Sequence, residues 1–331
     1  MKIAFTLCSI NYLAQAKSLS ETLKKTNPDW RFIYGIADKN VNNVDLSFLD
    51  GETLFVEDLA IEGFDDMVKR YTIVELVTSV KPYYFSHLFK KYPEADKIAY
   101  FDPDIQVFQP LTDLEAKLDQ YDIVLTPHFT QPIPENDKSL PTEIHIFNTG
   151  VFNLGFLAVK RSKSTFEMLK WWEDKLRYDC IVDLTRGYFV DQLWMNLVPA
   201  YFDNVYIDKY PGYNMAHWNL HDRVLTKVNG SYMVNGVPLI FYHFSHYNPG
   251  RPEQIAAYHD RFNFSSRPDL VELYDGYKND LLKFNYFGLK KNTCFYMHDE
   301  KQKTRKRNIE NFLRQALPMS MKSSLKKLIG K

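Results

Sequence analysis

The stretch IAYFDPDIQVF, residues 98–108, decides how this chain is read. Ile98 to Phe101 is an apolar run fit for a buried strand, and Ile105, Val107 and Phe108 continue it or begin a second one. Between them stand Asp102 and Asp104, flanking Pro103. Side chains at i and i+2 of an extended segment point the same way, so both carboxylates face one spot while the proline faces away. Like charges held together repel, and one proton or one cation relieves the repulsion. Carboxylate oxygens suit Mg2+ or Mn2+, and two carboxylates leave positions open for phosphate oxygens and water. An acidic turn between two strands is the plain alternative.

Outward from this stretch, the periodicities predict an α/β chain. Lys2–Ser9 reads as a strand, Tyr12–Lys25 as a helix closed by Pro28, and Trp30–Ile36 as a second strand, a β-α-β opening that implies a parallel sheet. Helices are expected over Phe64–Leu76, Pro82–Lys90, Ser164–Tyr178 and Phe189–Leu197. Strands are expected at Tyr121–Thr126 and Leu239–Phe244. Gly150–Val159 reads as a strand pair or a strand broken around Asn153 and Gly155, and the proline-rich residues 127–142 read as a loop.

The 331 residues carry 41 basic and 41 acidic side chains, a balance that excludes a whole-domain nucleic-acid footprint. The zero hides an asymmetry, because residues 301–331 hold ten Lys or Arg against the single acid Glu310. In that tail Met321, Leu325, Leu328 and Ile329 fall near helical spacing among lysines. It reads as an amphipathic segment for an anionic membrane surface or as a solvated tail. Cys8, Cys180 and Cys294 show no metal or disulfide spacing, and no apolar run reaches 18 residues. A cytoplasmic location is expected, peripheral on the inner face of the membrane if the tail binds lipid.

Several motifs in a fixed order carry a resemblance: TSVKPYYFSHLF (78–89), the opening stretch, TPHF (126–129), NTGVFNLGFLAV (148–159), DQLWMNLVP (191–199), GYNMAHWNLHDR (212–223) and FYHFSHYNP (241–249). Over residues 1–260 the chain resembles nucleotide-sugar glycosyltransferases of the GT-A fold, and among them family 8-like bacterial enzymes of surface-polysaccharide synthesis. The resemblance implies a single GT-A-like (Rossmann-like) domain with a mostly parallel mixed central sheet. A C-terminal extension, residues 261–300, packs on that domain, and a basic helical tail follows at 301–331.

The activity implied is metal-dependent transfer of a sugar from a nucleotide-diphosphate sugar, a UDP-sugar in preference to a GDP-sugar. The acceptor is a hydroxyl of a glycan or lipid-linked glycan, and the anomeric configuration is retained. Asp102, Asp104 and His243 match the metal-binding positions. Lys81, Asn153 and Gly155 match donor-binding positions, and Asp191 with Gln192 matches the pair beside the reacting centre. Where such enzymes often have glycine soon after the late histidine, this chain has His246, which leaves the donor phosphates approached differently or contacted by His246 itself. Asn214, His217, Trp218, Asn219 and Arg223 form a dense polar-aromatic cluster in which Trp and Asn suit a sugar by residue type, with a well-packed irregular segment as the plain alternative.

Other readings stand beside these. His243 reads equally as a buried structural histidine, Asp191 as a helix N-cap, and Gly155 as a site of close backbone approach. Two other functions also remain open. Haloacid-dehalogenase-like phosphatases use DxDx[TV] with the first Asp as nucleophile, but here the fifth position is Gln106 and the motif follows about 100 residues of chain. The other is a non-catalytic glycan-binding protein.

Overall fold

The computed structural model describes residues 1–297, 299, 300, 302–304, 307 and 309. The expected helical tail therefore lies almost wholly outside the described residues.

A seven-stranded sheet forms the centre. In chain order its strands are β1 (Lys2–Cys8), β2 (Trp30–Ile36), β3 (Glu52–Phe55), β4 (Lys97–Phe101), β6 (Ile123–Pro127), β7 (Phe152–Lys160) and Val205–Ile207. β1 pairs in parallel with β2 and β4, and β2 with β3. β7 runs antiparallel between β4 and β6, so one inverted strand sits in an otherwise parallel, mixed α/β sheet. β7 runs as one strand through Asn153 and Gly155, and the irregularity expected there is a shift in its register with β6 between the pairs Leu125–Leu157 and Pro127–Phe152.

Both faces of the sheet are covered, as parallel strands require. Alternation along β4 sends Ala99 and Phe101 to one core and Ile98 and Tyr100 to the other. The first core lies under the Leu13–Thr26 helix, whose Leu13, Ala16, Leu19 and Leu23 are buried. The second lies under the Lys81–Lys91 and Lys163–Asp179 helices, where Trp172 is fully buried and Trp171 is half-buried against the edge of the core. The Val271–Lys283 helix packs on the first core through Leu273, Tyr274, Tyr277 and Leu281.

Local chemistry overrides the periodicity in three places. The helix expected over Phe64–Leu76 is two helices, Phe64–Arg70 and Ile73–Ser79, because Thr72 starts a capping box in which its backbone N–H donates to Glu75 (2.9 Å). Residues Phe189–Leu197 are not one helix. A two-residue strand, Tyr188–Phe189, ends at Val190, whose φ of 37° lies in the left-handed region that β-branched residues avoid, and a 3-10 turn follows at Leu193–Leu197. A short helix, Glu143–Thr149, closes the proline-rich loop and buries none of its residues.

Candidate active site

β1 and β4 are parallel neighbours, so the residues beyond their C-terminal ends emerge side by side, the place where open α/β sheets bind ligands. Asp102 follows β4 directly. Its backbone N–H donates to the Gly155 carbonyl (2.7 Å), and one carboxylate oxygen accepts from the Tyr100 hydroxyl. Asp104 precedes β5 (Ile105–Val107), which pairs antiparallel with the strand Phe241–His243 in the register Ile105 to His243. That register carries the imidazole to the carboxylates. His243 Nε2 lies 3.0 Å from Asp104 Oδ1 and 3.7 Å from Asp102 Oδ2. One ligand atom from each residue falls within 4.8 Å of the others. Both carboxylates are partly open to solvent while His243 is buried.

Electrostatics fit a shared cation. Burial lifts Asp102 above the ordinary carboxylate range, against the pull of Lys81 and His243. Burial also pushes Asp104 upward, but His243 outweighs it and holds Asp104 low. For His243 burial disfavours the charge, and the two carboxylates prevail and hold its pKa above the ordinary value. Two oxygens and one imidazole nitrogen form a donor set of the kind that holds Mn2+ or Mg2+.

Gly155 seats this group. A Cβ there would lie 2.4 Å from His243 Cε1 and 2.8 Å from its Nδ1, so only glycine lets the imidazole pack against β7. Beside it runs a buried amide network. Asn153 Oδ1 accepts from the Gly155 N–H (3.1 Å) and from Asn214 (3.0 Å), which also donates to Thr126 (3.0 Å). Asn153 Nδ2 approaches His128 Nε2 at 3.1 Å, and His128 Nδ1 lies 3.2 Å from the Val151 carbonyl. This order fixes His128 as the Nδ1–H tautomer. Burial holds it neutral, with its pKa down at about 4. Gln192 bridges the network, accepting from the Leu154 N–H (3.2 Å) and donating to the Thr149 carbonyl (2.9 Å).

Lys81 and Asp191 meet each other. The ammonium lies 2.6 Å from Asp191 Oδ2 and 2.9 Å from the Leu154 carbonyl, and both side chains are 3% exposed. Asp191 is thus the partner of a buried cation rather than a cap, and Gln192, at the start of the following turn, makes no side-chain cap bond. Lys81 also sits 4.5 Å from the Tyr100 ring centroid, so Tyr100 lies between the ion pair and Asp102. His246 adopts a left-handed φ of 60° and is exposed, its ring against His217 and Tyr258. The structure therefore gathers Asp102, Asp104 and His243 into one group and Asn153, Gly155 and Gln192 around it, while Lys81 and Asp191 close on one another. Sequence reasoning missed Tyr100 and Thr126. Tyr100 had a signal, since on a strand it shares a face with Asp102 two residues on.

No family model matches the sequence. The chain is similar to the uncharacterized proteins YfnF and YfnD of Bacillus subtilis (strain 168). It is 25% identical to YfnF over 296 residues, 83% of this chain and 90% of that one. With YfnD the identity is 28% over 181 residues, 53% of this chain and 54% of that one. Solved structures similar to it include galactosyltransferase LgtC in complex with donor and acceptor sugar analogs, at 16% identity, covering 84% of this chain and 95% of that one with a TM-score of 0.43. Another is the glycosyltransferase GlyE of Streptococcus pneumoniae TIGR4, at 13% identity, covering 88% and 66% with a TM-score of 0.45.

Proposed function

We propose that this chain is a metal-dependent glycosyltransferase that moves a sugar from a nucleotide-diphosphate sugar to a hydroxyl of a glycan or lipid-linked glycan. The observation that carries the reading is the convergence of Asp102, Asp104 and His243 beyond the ends of parallel strands, beside buried amides from Asn153 and Gln192. Those three residues would hold Mn2+ or Mg2+. When bound, the ion supplies positive charge that neutralises the donor diphosphate and its departure as a leaving group.

The chain's own residues do the rest. Tyr100 and the Gly155 carbonyl hold Asp102 in place. Asn153 and Gln192 present fixed amide dipoles toward sugar hydroxyls, and the buried surroundings exclude water. Asp191 is neutralised by Lys81, which disfavours it as a base that would deprotonate an acceptor in an inverting reaction. A retaining course, with the leaving phosphate taking the acceptor proton, fits that pairing. The donor expected is a UDP-sugar, and residues 301–331 would hold the enzyme to anionic lipid on the cytoplasmic face.

The test is nucleotide release from UDP-, GDP-, dTDP- and CMP-sugars with Mn2+, with Mg2+ and with EDTA, beside the Asp102→Asn/Asp104→Asn variant. Release from a UDP-sugar, abolished by EDTA and at least 100-fold lower in the variant, is the expected result. Absence of both release and calorimetric binding for every donor with metal present would refute the reading. A stable aspartyl-phosphate at Asp102, formed without nucleotide, would move the assignment to phosphotransfer.

A further inference from the structure

Next to the carboxylate–histidine group, polar ring atoms are buried without protein partners. Trp218 stands edge-on to His243 and to His217, each with ring centroids 5.1 Å away. Trp218 Nε1 and His217 Nδ1 are buried, their residues 5% and 6% exposed, and neither atom bonds to any protein atom among the described residues. His259, whose ring is 5.4 Å from His217, has its Nδ1 buried in the same condition. Buried polar atoms are ordinarily satisfied, and a cluster of unsatisfied ones calls for an occupant that bonds to them.

The ring contacts continue outward. His217 meets His246 at 6.3 Å, and His246 meets Tyr258 at 5.0 Å, where Tyr258 is 70% exposed. A chain of rings thus runs from His243 to the protein surface. Its outer wall is pinned, because Arg261 donates to Asp137 (2.7 Å) and to the carbonyls of Ser139 (2.7 Å) and Pro141 (3.0 Å), tying the segment of Tyr258 and His259 to the loop opposite.

The chemistry of the unsatisfied atoms selects the occupant. The indole N–H only donates, whereas a neutral imidazole nitrogen donates or accepts by tautomer. Burial first, and then the neighbouring histidines, hold His217 far below its ordinary pKa, so the pair is uncharged and offers little to an anion. A hydroxyl, which donates and accepts, satisfies both atoms, and aromatic faces suit the C–H faces of a pyranose. The donor diphosphate belongs on the carboxylates. The ring chain instead ends on the exposed His246 and Tyr258, where a second substrate would enter.

We propose that Trp218 and His217 form the subsite that recognises hydroxyls of the acceptor sugar, with His246 and Tyr258 lining its approach. The proposal rests on the transferase reading and names the acceptor side of the same site.

The experiment uses the full chain with Mn2+ and UDP. A panel of methyl α- and β-glycosides of glucose, galactose, mannose and N-acetylglucosamine is followed by saturation-transfer NMR, and UDP·Mn2+ binding is followed by calorimetry. Trp218→Phe keeps a ring and removes the N–H, and His217→Phe does the same for the imidazole. The expected result is that at least one glycoside binds the wild-type protein and loses at least fivefold affinity in each variant, while His217→Phe, which does not touch His243, leaves the UDP·Mn2+ dissociation constant within threefold. The proposal is overturned if no glycoside binds the wild type, if glycoside affinity survives either substitution, or if UDP·Mn2+ affinity falls in parallel in His217→Phe. Failure of the wild type to bind UDP·Mn2+ while binding a glycoside would instead count against the transferase reading.

Discussion

Replacing Gly155 with alanine tests the proposed metal site without touching any of its three candidate ligands. The new methyl would lie 2.4 Å from His243 Cε1, where carbon atoms rest at about 3.5–4.0 Å. The imidazole must therefore retreat by about 1 Å or more. It cannot do so freely, because Trp218 packs edge-on against it and its backbone is paired with Ile105. Metal–ligand distances tolerate only about 0.2 Å, so a shift of that size would remove His243 from the proposed coordination set. Disturbing even the outer partners of ligands typically costs about 10–100-fold in metal affinity, and that range is the expected loss for Mn2+. Overpacking adds about 1–3 kcal/mol of destabilisation. The assay is titration of free Mn2+ by electron paramagnetic resonance, with a thermal melt of the apoprotein alongside. Gly63→Ala is the control, since its φ of 74° strains any side chain while nothing lies within 4 Å of the new methyl. It should lower stability and leave Mn2+ affinity alone. If Gly155→Ala binds Mn2+ within twofold of wild type, His243 is not held against the carboxylates by this glycine and the argument fails.

Three further outcomes are expected. Asp191→Ala strands the buried Lys81 ammonium and should cost about 3–5 kcal/mol, whereas Lys81→Met combined with Asp191→Leu should recover most of it; urea unfolding of wild type and the two variants decides, and a double variant no more stable than Asp191→Ala would refute the pairing argument. Burial depresses His128 to about 4, below its unfolded value of about 6.5, so between these values the unfolded chain binds the extra proton. Its contribution is complete above about pH 6.5 and lost as pH falls toward 4, up to about 3 kcal/mol; His128→Gln should flatten the melting temperature over that window, and an unchanged slope would assign the acid sensitivity elsewhere. Vesicles rich in phosphatidylserine should sediment the full chain and not a version ending at residue 300, with binding lost at high salt; equal sedimentation of both would remove the tail from the membrane reading.

The carboxylates were legible because two acids interrupting an apolar strand have no packing role there. The β-α-β opening was legible because its periodicities are long and clean. His243 became a ligand candidate only through resemblance, since an imidazole in an aromatic run reads equally as core. The Lys81–Asp191 pair was invisible: the partners lie 110 residues apart, and ion pairing leaves no periodic trace. The amide network spans residues 126 to 219 and depends on which strands become neighbours. The helix expected at Phe189–Leu197 failed because Trp172 and Lys81, both distant in sequence, bind the backbone and side chain of Asp191 and hold the chain out of helical form.

The pairing of Ile105 with His243 also sets a clock on biosynthesis. The two carboxylates leave the ribosome 139 residues before the imidazole that meets them, a delay of roughly 7–28 s at about 5–20 residues per second. Early in that interval, until β7 (Phe152–Lys160) has been made, β4 also waits for this antiparallel neighbour to cover its edge. A nascent chain or a truncation product ending before His243 would carry the acidic pair with its mutual repulsion relieved by no imidazole, two carboxylates waiting for the charge that the late strand brings.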